Sequence, residues 1–456
     1  MTQTRGLMSD AAPPKDNAFM KRVTAACTWG EGVDGYDLGV ISVTLPFIAV
    51  SLGASPLEVG LIGASSLIGI FLGAPLAGLL TDRFGRRLVF SIDLALFVVL
   101  GLLQAVVTEP WQMFVVRVAL GMAIGAEYAI GAAMLAEFAP ARNRGRRLCG
   151  LLVSWYCGYL AAVLVSYALI EWGGVSWRWV LATSAVPAVV SMVLRRGLPE
   201  SPRWLVGRGR TDEARAIVER VLGSGYFDAE DIGAEPTGSG GLRAVFTGEN
   251  RRRLIFICVF WSCNVAPYFA IFTFAPTVLA SLKLANPAAG TIAVNALAAI
   301  GAIVGWLTIE HIGRRRQLIP PFWVMAVALA VVGLWSPAPA AVVVICFALF
   351  SFFNAMSGNL TAVYPIEILP TEVRSTGVGV AAAVSRIGAA VGTFLLPLGI
   401  EAFGIAACML IASAICVIGA VVSQVMAPET TGRKLHETSS EKLRAVRPKT
   451  SSAPAG

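Results

Sequence analysis

Charge is scarce in this chain: 14% of its 456 residues are charged and only two are histidine. Each shortage removes a class of function. A soluble domain carries about a quarter charged residues, so an aqueous globule is excluded, the more firmly because 56% of the chain is hydrophobic and its mean hydropathy is +0.72. His311 and His436 fall in a loop and in the tail, so no nucleophile-and-base set and no metal cluster forms, and no enzyme is expected. The eight cysteines (Cys27, Cys149, Cys157, Cys258, Cys263, Cys346, Cys408, Cys416) sit in or beside apolar stretches without zinc-type spacing. That argues against disulfides and against a metal site. Met1 to Lys21 is polar and lacks the apolar core and cleavage site of a signal peptide, which leaves the first apolar stretch as the insertion signal. The net charge of +8 is spread over short loops, without the concentrated basic face that nucleic-acid binding needs.

What is abundant is apolar sequence of spanning length. About twelve stretches, near 24–50, 57–80, 88–107, 111–138, 148–171, 177–194, 254–282, 288–309, 317–335, 340–364, 375–403 and 404–426, approach the ~20 residues that cross a ~30 Å hydrocarbon core. Of the 36 lysines and arginines, Arg178 and Lys283 fall in loops on one side, Arg117 and Arg386 fall inside helices, and the rest lie on the opposite side. By the positive-inside pattern that side, with both termini, is cytoplasmic. The expected class is all-α and integral to a plasma (inner) membrane. A cytoplasmic N-terminal tail (1–23) leads to a six-helix bundle (24–194), a cytoplasmic central loop (195–253), a second six-helix bundle (254–426) and a cytoplasmic tail (427–456). Within the loop, Thr211 with Asp212 and Glu213 begins a short amphipathic helix to about Leu222, and Gly223 through Gly241 reads as a flexible linker.

The two bundles repeat. Gly78, Asp82, Arg83, Gly85, Arg86 and Arg87 form a G-x3-D-R-x-G-R-R loop, and Trp306, Glu310, His311, Gly313, Arg314 and Arg315 hold the equivalent places 228 positions later. Glu137 with Arg144 answers Glu367 with Arg374, and Pro199-Glu200 answers Pro428-Glu429. Duplicated six-helix halves with charged loops on one side are the pattern of a secondary transporter whose bundles rock about a central site. Gly78 would let a neighbouring helix approach, Gly85 would permit a tight turn, and Arg83, Arg86 and Arg87 would reach acids and helix C-termini. Ion pairs among these residues, Glu137, Arg144, Glu310, Arg314, Glu367 and Arg374 would close the cytoplasmic end and break when it opens. Because Trp306, Glu310 and His311 depart from the first copy, the second gate is expected to be the weaker.

These loops, with Pro199-Glu200-Ser201-Pro202-Arg203-Trp204-Leu205 and Pro428-Glu429-Thr430-Thr431-Gly432, resemble the major facilitator superfamily, especially its sugar-porter-like, metabolite:proton symporter branch. The resemblance runs from about Asp34 to Leu435. It implies twelve transmembrane helices in two pseudo-symmetric bundles, alternating access, a small-molecule substrate and the proton as coupling ion, with no cofactor. The protein is expected to act as a monomer in the lipid bilayer, without nucleic acid.

An ionisable residue inside a span is costly enough to mark function. Asp34 and Asp37 stand three apart on one face of the first helix, which Glu31 extends. In the fourth helix Arg117 lies near the outer end and Glu127 near the middle. Gly35-Tyr36-Asp37 with Arg117 resembles the acid and arginine that couple protons in sugar:proton symporters. A carboxylate beside an arginine holds its proton weakly and one released into an apolar pocket holds it tightly, so making and breaking the pair would load and release a proton. Counting ~1.5 Å per residue from the inner ends puts Asp37 about 20 Å deep and Arg117 about 30 Å. Asp34 and Glu127, both about 15 Å deep by that count, are an alternative proton site, and Glu127-Tyr128 resembles the acidic-Tyr pair of phosphate and organic-metabolite symporters. Asp93, six residues past Arg87, reads as interfacial.

Arg386 is the one basic group deep in the second half, set among small residues, and its planar fork suits a carboxylate or phosphate. A basic residue there resembles the aromatic-acid, organic-metabolite and phosphate symporters. Typical sugar porters instead carry a paired glutamine at the seventh helix, where this chain has Trp261-Ser262-Cys263-Asn264, and phosphate symporters place an acid where Val265 stands. A small organic anion is therefore expected ahead of a sugar or polyol, with efflux third. A first-half carboxylate would answer Arg386 at rest, and Tyr128, Trp155, Tyr156, Trp261, Asn264, Tyr268 and Asn354 would line the pocket.

Overall fold

The computed structural model describes residues 17–138, 144–222, 245–282, 286–335, 338–370 and 373–431. The linker and most of the C-terminal tail, Lys283, and the side chains of the expected gate residues Asp82, Glu137 and Arg144 lie outside the described residues. Among the described residues every regular element is helical. The first half holds α1 (Asn17–Leu52), α2 (Pro56–Phe84), α3 (Arg86–Leu103), α4 (Pro110–Phe138), α5 (Arg144–Tyr167), α6 (Trp177–Ala182) and α7 (Ala185–Arg195). Two short helices follow, α8 (Pro202–Gly207) and α9 (Thr211–Leu222), the second starting at the Thr211 signal. The second half holds α10 (Gly248–Thr273), α11 (Ala275–Ser281), α12 (Pro287–Ile312), α13 (Arg314–Leu334), α14 (Ala340–Gly358), α15 (Leu360–Ile368) and α16 (Arg374–Met426).

Eleven helical runs among the described residues are long and apolar enough to cross a membrane. The last of them is two crossings. Its 51 residues, Thr376–Met426, would reach about 76 Å if straight, and the turn back falls at Gly404, whose φ of 79° is open to glycine and strained for other residues. The break between the expected spans 375–403 and 404–426 lies at this residue.

Lipid supplies no hydrophobic drive between helices, so small residues must let backbones meet. α2 and α4 show how. Gly69 and Gly73 sit against the backbone of Val118, Gly121 and Met122, while Gly121 and Gly125 sit against Ser66 and Ile70, so any Cβ on these four would collide with the facing helix. Large apolar side chains such as Val50, Leu79 and Phe403 are left on the outer surface. Exposed Trp111, Trp172, Trp179 and Trp335 gather at the end away from the charged loops, as interfacial aromatics do. That end is called here the far end, and the end with the repeated loops the basic end.

The repeated loops share one conformation. Gly85 and Gly313 have φ of 90° and 91°, and each is followed at once by a helix, α3 or α13. The first backbone N–H groups of a helix lack partners within it and favour negative charge. Glu200 fills this need for α3, accepting from Arg86 N at 2.9 Å and Arg87 N at 3.1 Å. Glu429 does the same for α13 with Arg314 N at 3.0 Å and Arg315 N at 3.1 Å. Burial pushes the Glu429 carboxyl up, but hydrogen bonds from Thr431 and from the α13 backbone outweigh it and hold the group below the usual range. The Pro-Glu echo is thus a pair of helix caps, a role the spacing alone did not reveal.

The surroundings of the two copies differ among the described residues. No helix approaches Gly78: among the described residues nothing lies within 4 Å of where its Cβ would stand. In the second copy the arginine is held by acids of its own bundle. Arg314 pairs with Glu310 at 3.2 Å and Glu367 at 3.0 Å, all within the second bundle. Trp306, in the place of Gly78, crosses between bundles and donates its indole N–H to Arg146 O at 2.8 Å. Bulk at that position makes a contact where glycine leaves a gap.

Candidate transport site

A cavity of about 610 Å³ lies between the two halves. It runs from Tyr268 and Phe269 at mid-depth to Leu148 and Val378, close to the basic-end starts of α5 and α16. Towards the far end it is shut. Tyr268 stacks on Phe272 with centroids 4.0 Å apart, Tyr159 donates to Phe272 O at 3.0 Å, and a Cβ on Gly60 would come 2.6 Å from Phe394 O. The opening is therefore at the basic end.

All eight residues expected to line a pocket do line this one: Arg386, Tyr128, Trp155, Tyr156, Trp261, Asn264, Tyr268 and Asn354. The rings of Trp155, Tyr156 and Tyr268 pack mutually, with centroids 5.1 to 6.0 Å apart. Trp155 Nε1, Tyr268 OH and Asn354 Oδ1 are buried with no hydrogen-bond partner among the described residues. The amide nitrogens have other work. Asn354 donates to Asn264 O at 2.8 Å and Asn264 to Ser357 Oγ at 2.9 Å, tying α10 to α14. Arg386 lies over the rings of Tyr128 (5.2 Å) and Phe269 (5.6 Å). Among the described residues no carboxylate is within ion-pair distance of it, so the expected resting partner from the first half does not bind it in this conformation.

The first half buries two separate arginine–carboxylate pairs. Arg117 Nη2 meets Asp37 Oδ2 at 3.2 Å, and its other donors reach Gln104 Oε1 at 2.8 Å and Ser66 Oγ at 2.9 Å. The depth gap expected between the two vanishes because α1 starts at Asn17, before its apolar stretch. Asp37 and Arg117 then stand 20 and 21 residues from the basic ends of α1 and α4, about 30 Å for each. The second pair was not foreseen. Glu127 is gripped by both Nη atoms of Arg195, Nη1 to Oε2 at 2.8 Å. Arg195 had read as one more loop cation, yet its side chain is 6% exposed. Asp93, expected at the interface, is likewise buried beside this pair. Asp34 is fully buried near them, with neither oxygen partnered among the described residues.

Two duplicated helical bundles around an aromatic-walled cavity, with ionisable groups buried beside it, define a multi-pass membrane transporter. Over residues 23–441 the chain matches the sugar (and other) transporter family, and it belongs to that family. It is 36% identical to YaaU of Escherichia coli, named as a metabolite transport protein, over 92% of this chain and 95% of that one. It is 34% identical to the inner membrane metabolite transport protein YgcS of the same organism, over 91% and 92% of the two chains. Its fold is that of the xylose transporter XylE from E. coli in a partially occluded inward-open conformation, with a TM-score of 0.79 at 22% identity, covering 92% of this chain and 100% of that one. The twelve-helix major facilitator fold is thereby shown.

Proposed function

We propose that the protein is a proton-coupled symporter of the plasma (inner) membrane. Its basic end and both termini face the cytoplasm, and it takes up a small organic anion, an aromatic or other carboxylate, by alternating access. The observation that carries the substrate class is Arg386: a guanidinium at the cavity wall, backed by two ring faces and with no carboxylate within ion-pair distance among the described residues, Glu31 standing across the same cavity. Leaving such a charge unpaired in a low-dielectric cavity costs several kcal/mol, so a ligand anion is a natural counter-charge. The stacked aromatic wall suits a flat ring, and a matched relative at 27% identity is a niacin transporter of Acinetobacter baylyi. Asp37 is the residue we assign to coupling. Released from Arg117 in the outward-facing state it would take a proton from outside, and re-forming the pair towards the cytoplasm would expel it.

The second reading is a sugar or polyol, and the family name supports it at least as well. A glucose transporter of Staphylococcus epidermidis matches at 29% identity. Asn354 Oδ1, Trp155 Nε1 and Tyr268 OH could equally serve hydroxyl groups. One experiment separates the two. Purified protein is screened for ligand stabilisation against aromatic carboxylates, their amides, and free pentoses and hexoses, since binding to the folded state raises apparent stability. A carboxylate should outbind its own amide at least about tenfold, a difference near 1.4 kcal/mol, and Arg386→Gln should erase that preference. Equal response to acid and amide, with stabilisation by a sugar that survives Arg386→Gln, would replace the anion by the sugar.

A further inference from the structure

Among the described residues the wall of the central cavity carries one charge of each sign, Glu31 from the first half and Arg386 from the second, in a lining that is otherwise aromatic, amide, hydroxyl or apolar. The two stand level. Glu31 is 14 residues from the basic end of α1 and Arg386 is 12 from that of α16, which at ~1.5 Å per residue places each about 20 Å in. The residue before Glu31 turns it to the cavity. Gly30 sits against Arg195 and Glu127, where a Cβ would collide with both. One residue on is a rotation of about 100° around the helix, which brings Glu31 round to the cavity wall.

Neither charge is neutralised by the described residues. Glu31 is 3% exposed, its Oε2 has no hydrogen-bond partner, and no cation lies within ion-pair distance of it among them. Arg195 gives both Nη atoms to Glu127, which leaves Arg386 as the other cation acting on Glu31. Arg386 in turn lies over the rings of Tyr128 and Phe269. A simple anion would settle on Arg386 and leave Glu31 worse off, because a second negative charge then stands in the same low-dielectric space. A ligand with a positive, donating group at its other edge answers both walls at once.

We propose that Glu31 and Arg386 are opposite poles of one binding site, and that the substrate is a flat zwitterion: a ring carboxylate whose other edge carries a protonated nitrogen. The zwitterion rests on the anion reading above and narrows it, with Glu31 as a further specificity-determining residue. The carboxylate meets the Arg386 fork, the nitrogen donates to Glu31, and the mutually packed rings of Trp155, Tyr156 and Tyr268 give the ligand ring a face to lie against. A ligand held this way lies across the molecule with one end on each half, so that binding ties the two bundles together.

The probes are benzoate, benzamide, benzylamine, and meta- and para-aminomethylbenzoate, each titrated into purified protein and read by ligand stabilisation. At least one aminomethylbenzoate should bind about tenfold tighter than benzoate, the worth of a charge-assisted hydrogen bond, and tighter than benzylamine. Glu31→Gln should pull it down to the affinity of benzoate, while benzoate itself binds as well as before or better, which shows that the variant is folded. Arg386→Gln should pull it down to the affinity of benzylamine. Aminomethylbenzoates no tighter than benzoate in the wild type overturn the zwitterion, and that comparison needs no variant. If benzoate still outbinds benzamide there, the anion reading survives alone; if no acid outbinds benzamide, both fall. A preference for the zwitterion that persists in Glu31→Gln removes Glu31 as the pole.

Discussion

The two halves descend from one repeated plan and bury different chemistry. Towards the core the first half turns Glu31, Asp34, Asp37, Asp93, Arg117, Glu127 and Arg195, all able to carry charge. In the second half the buried polar residues include five amides, Asn264, Asn295, Gln317, Asn354 and Asn359, and no carboxylate among the described residues, with Arg386 at the cavity wall and Arg253 and Arg314 buried as well. Amides hold helices together at any pH, because their hydrogen bonds do not depend on a proton count. Carboxylates switch partners when a proton arrives. On the proposed function, the contrast divides the labour: the first half is the one fitted to take up and release protons, the second the one fitted to hold a ligand.

The sharpest way to break that division is at Asp37. Asp37→Asn should abolish uphill, pH-driven accumulation in proteoliposomes while counterflow exchange continues at least in part. If accumulation survives in Asp37→Asn, Asp34→Asn and Glu127→Gln alike, the first half does not couple. Next comes Arg386→Lys, which keeps the charge but loses the two-pronged geometry. A carboxylate ligand should bind it more weakly by roughly 1–3 kcal/mol, read by calorimetry, with the pH dependence of uptake unmoved. A changed pH dependence would blur the two roles.

A comparable loss should appear as stability at Asn354. Asn354→Ala removes the side-chain donor to Asn264 O and with it one tie between α10 and α14, at about 0.5–1.5 kcal/mol, and thermal unfolding should shift by the same amount across neutral and mildly alkaline pH. A shift that depends on pH there would mean that the second half titrates as well. The smallest effect belongs to Glu429. Its folded pKa lies below the unfolded value, so its stabilising contribution is present at neutral pH and fades as pH falls through the acid range. Glu429→Gln should flatten that acid limb and leave the curve above it parallel to wild type. An acid limb identical to wild type would remove Glu429 from the capping role.

Much of this was legible in the sequence because lipid makes its demands locally. Spanning length, the break at Gly404, the helix start at Thr211 and the cavity-lining aromatics all follow from runs of neighbouring residues. The interior acids announced themselves by their cost. Arg195 stayed hidden because it adjoins Arg196 at a helix end, where a basic doublet normally marks the membrane surface, and only the packing of α7 on α1 and α3 turns one of the two inward. Asp93 was missed for the same reason. Gly78 meets no neighbour among the described residues, because a glycine shows where a helix can come close, and whether one does depends on which end of the transporter is open.

The interlocked glycines of α2 and α4 bear on how force travels. Backbones seated directly on one another leave no side chain to yield, so the two helices would move as one rod-like piece. At one tip, by Gly60, the rod is pressed on Phe394. At the other, by Gly78, it swings clear. Under the proposed alternating access, a stiff crossing that tilts as one piece raises one tip only by lowering the other, which would oppose a leak open to both sides before any gate residue acts.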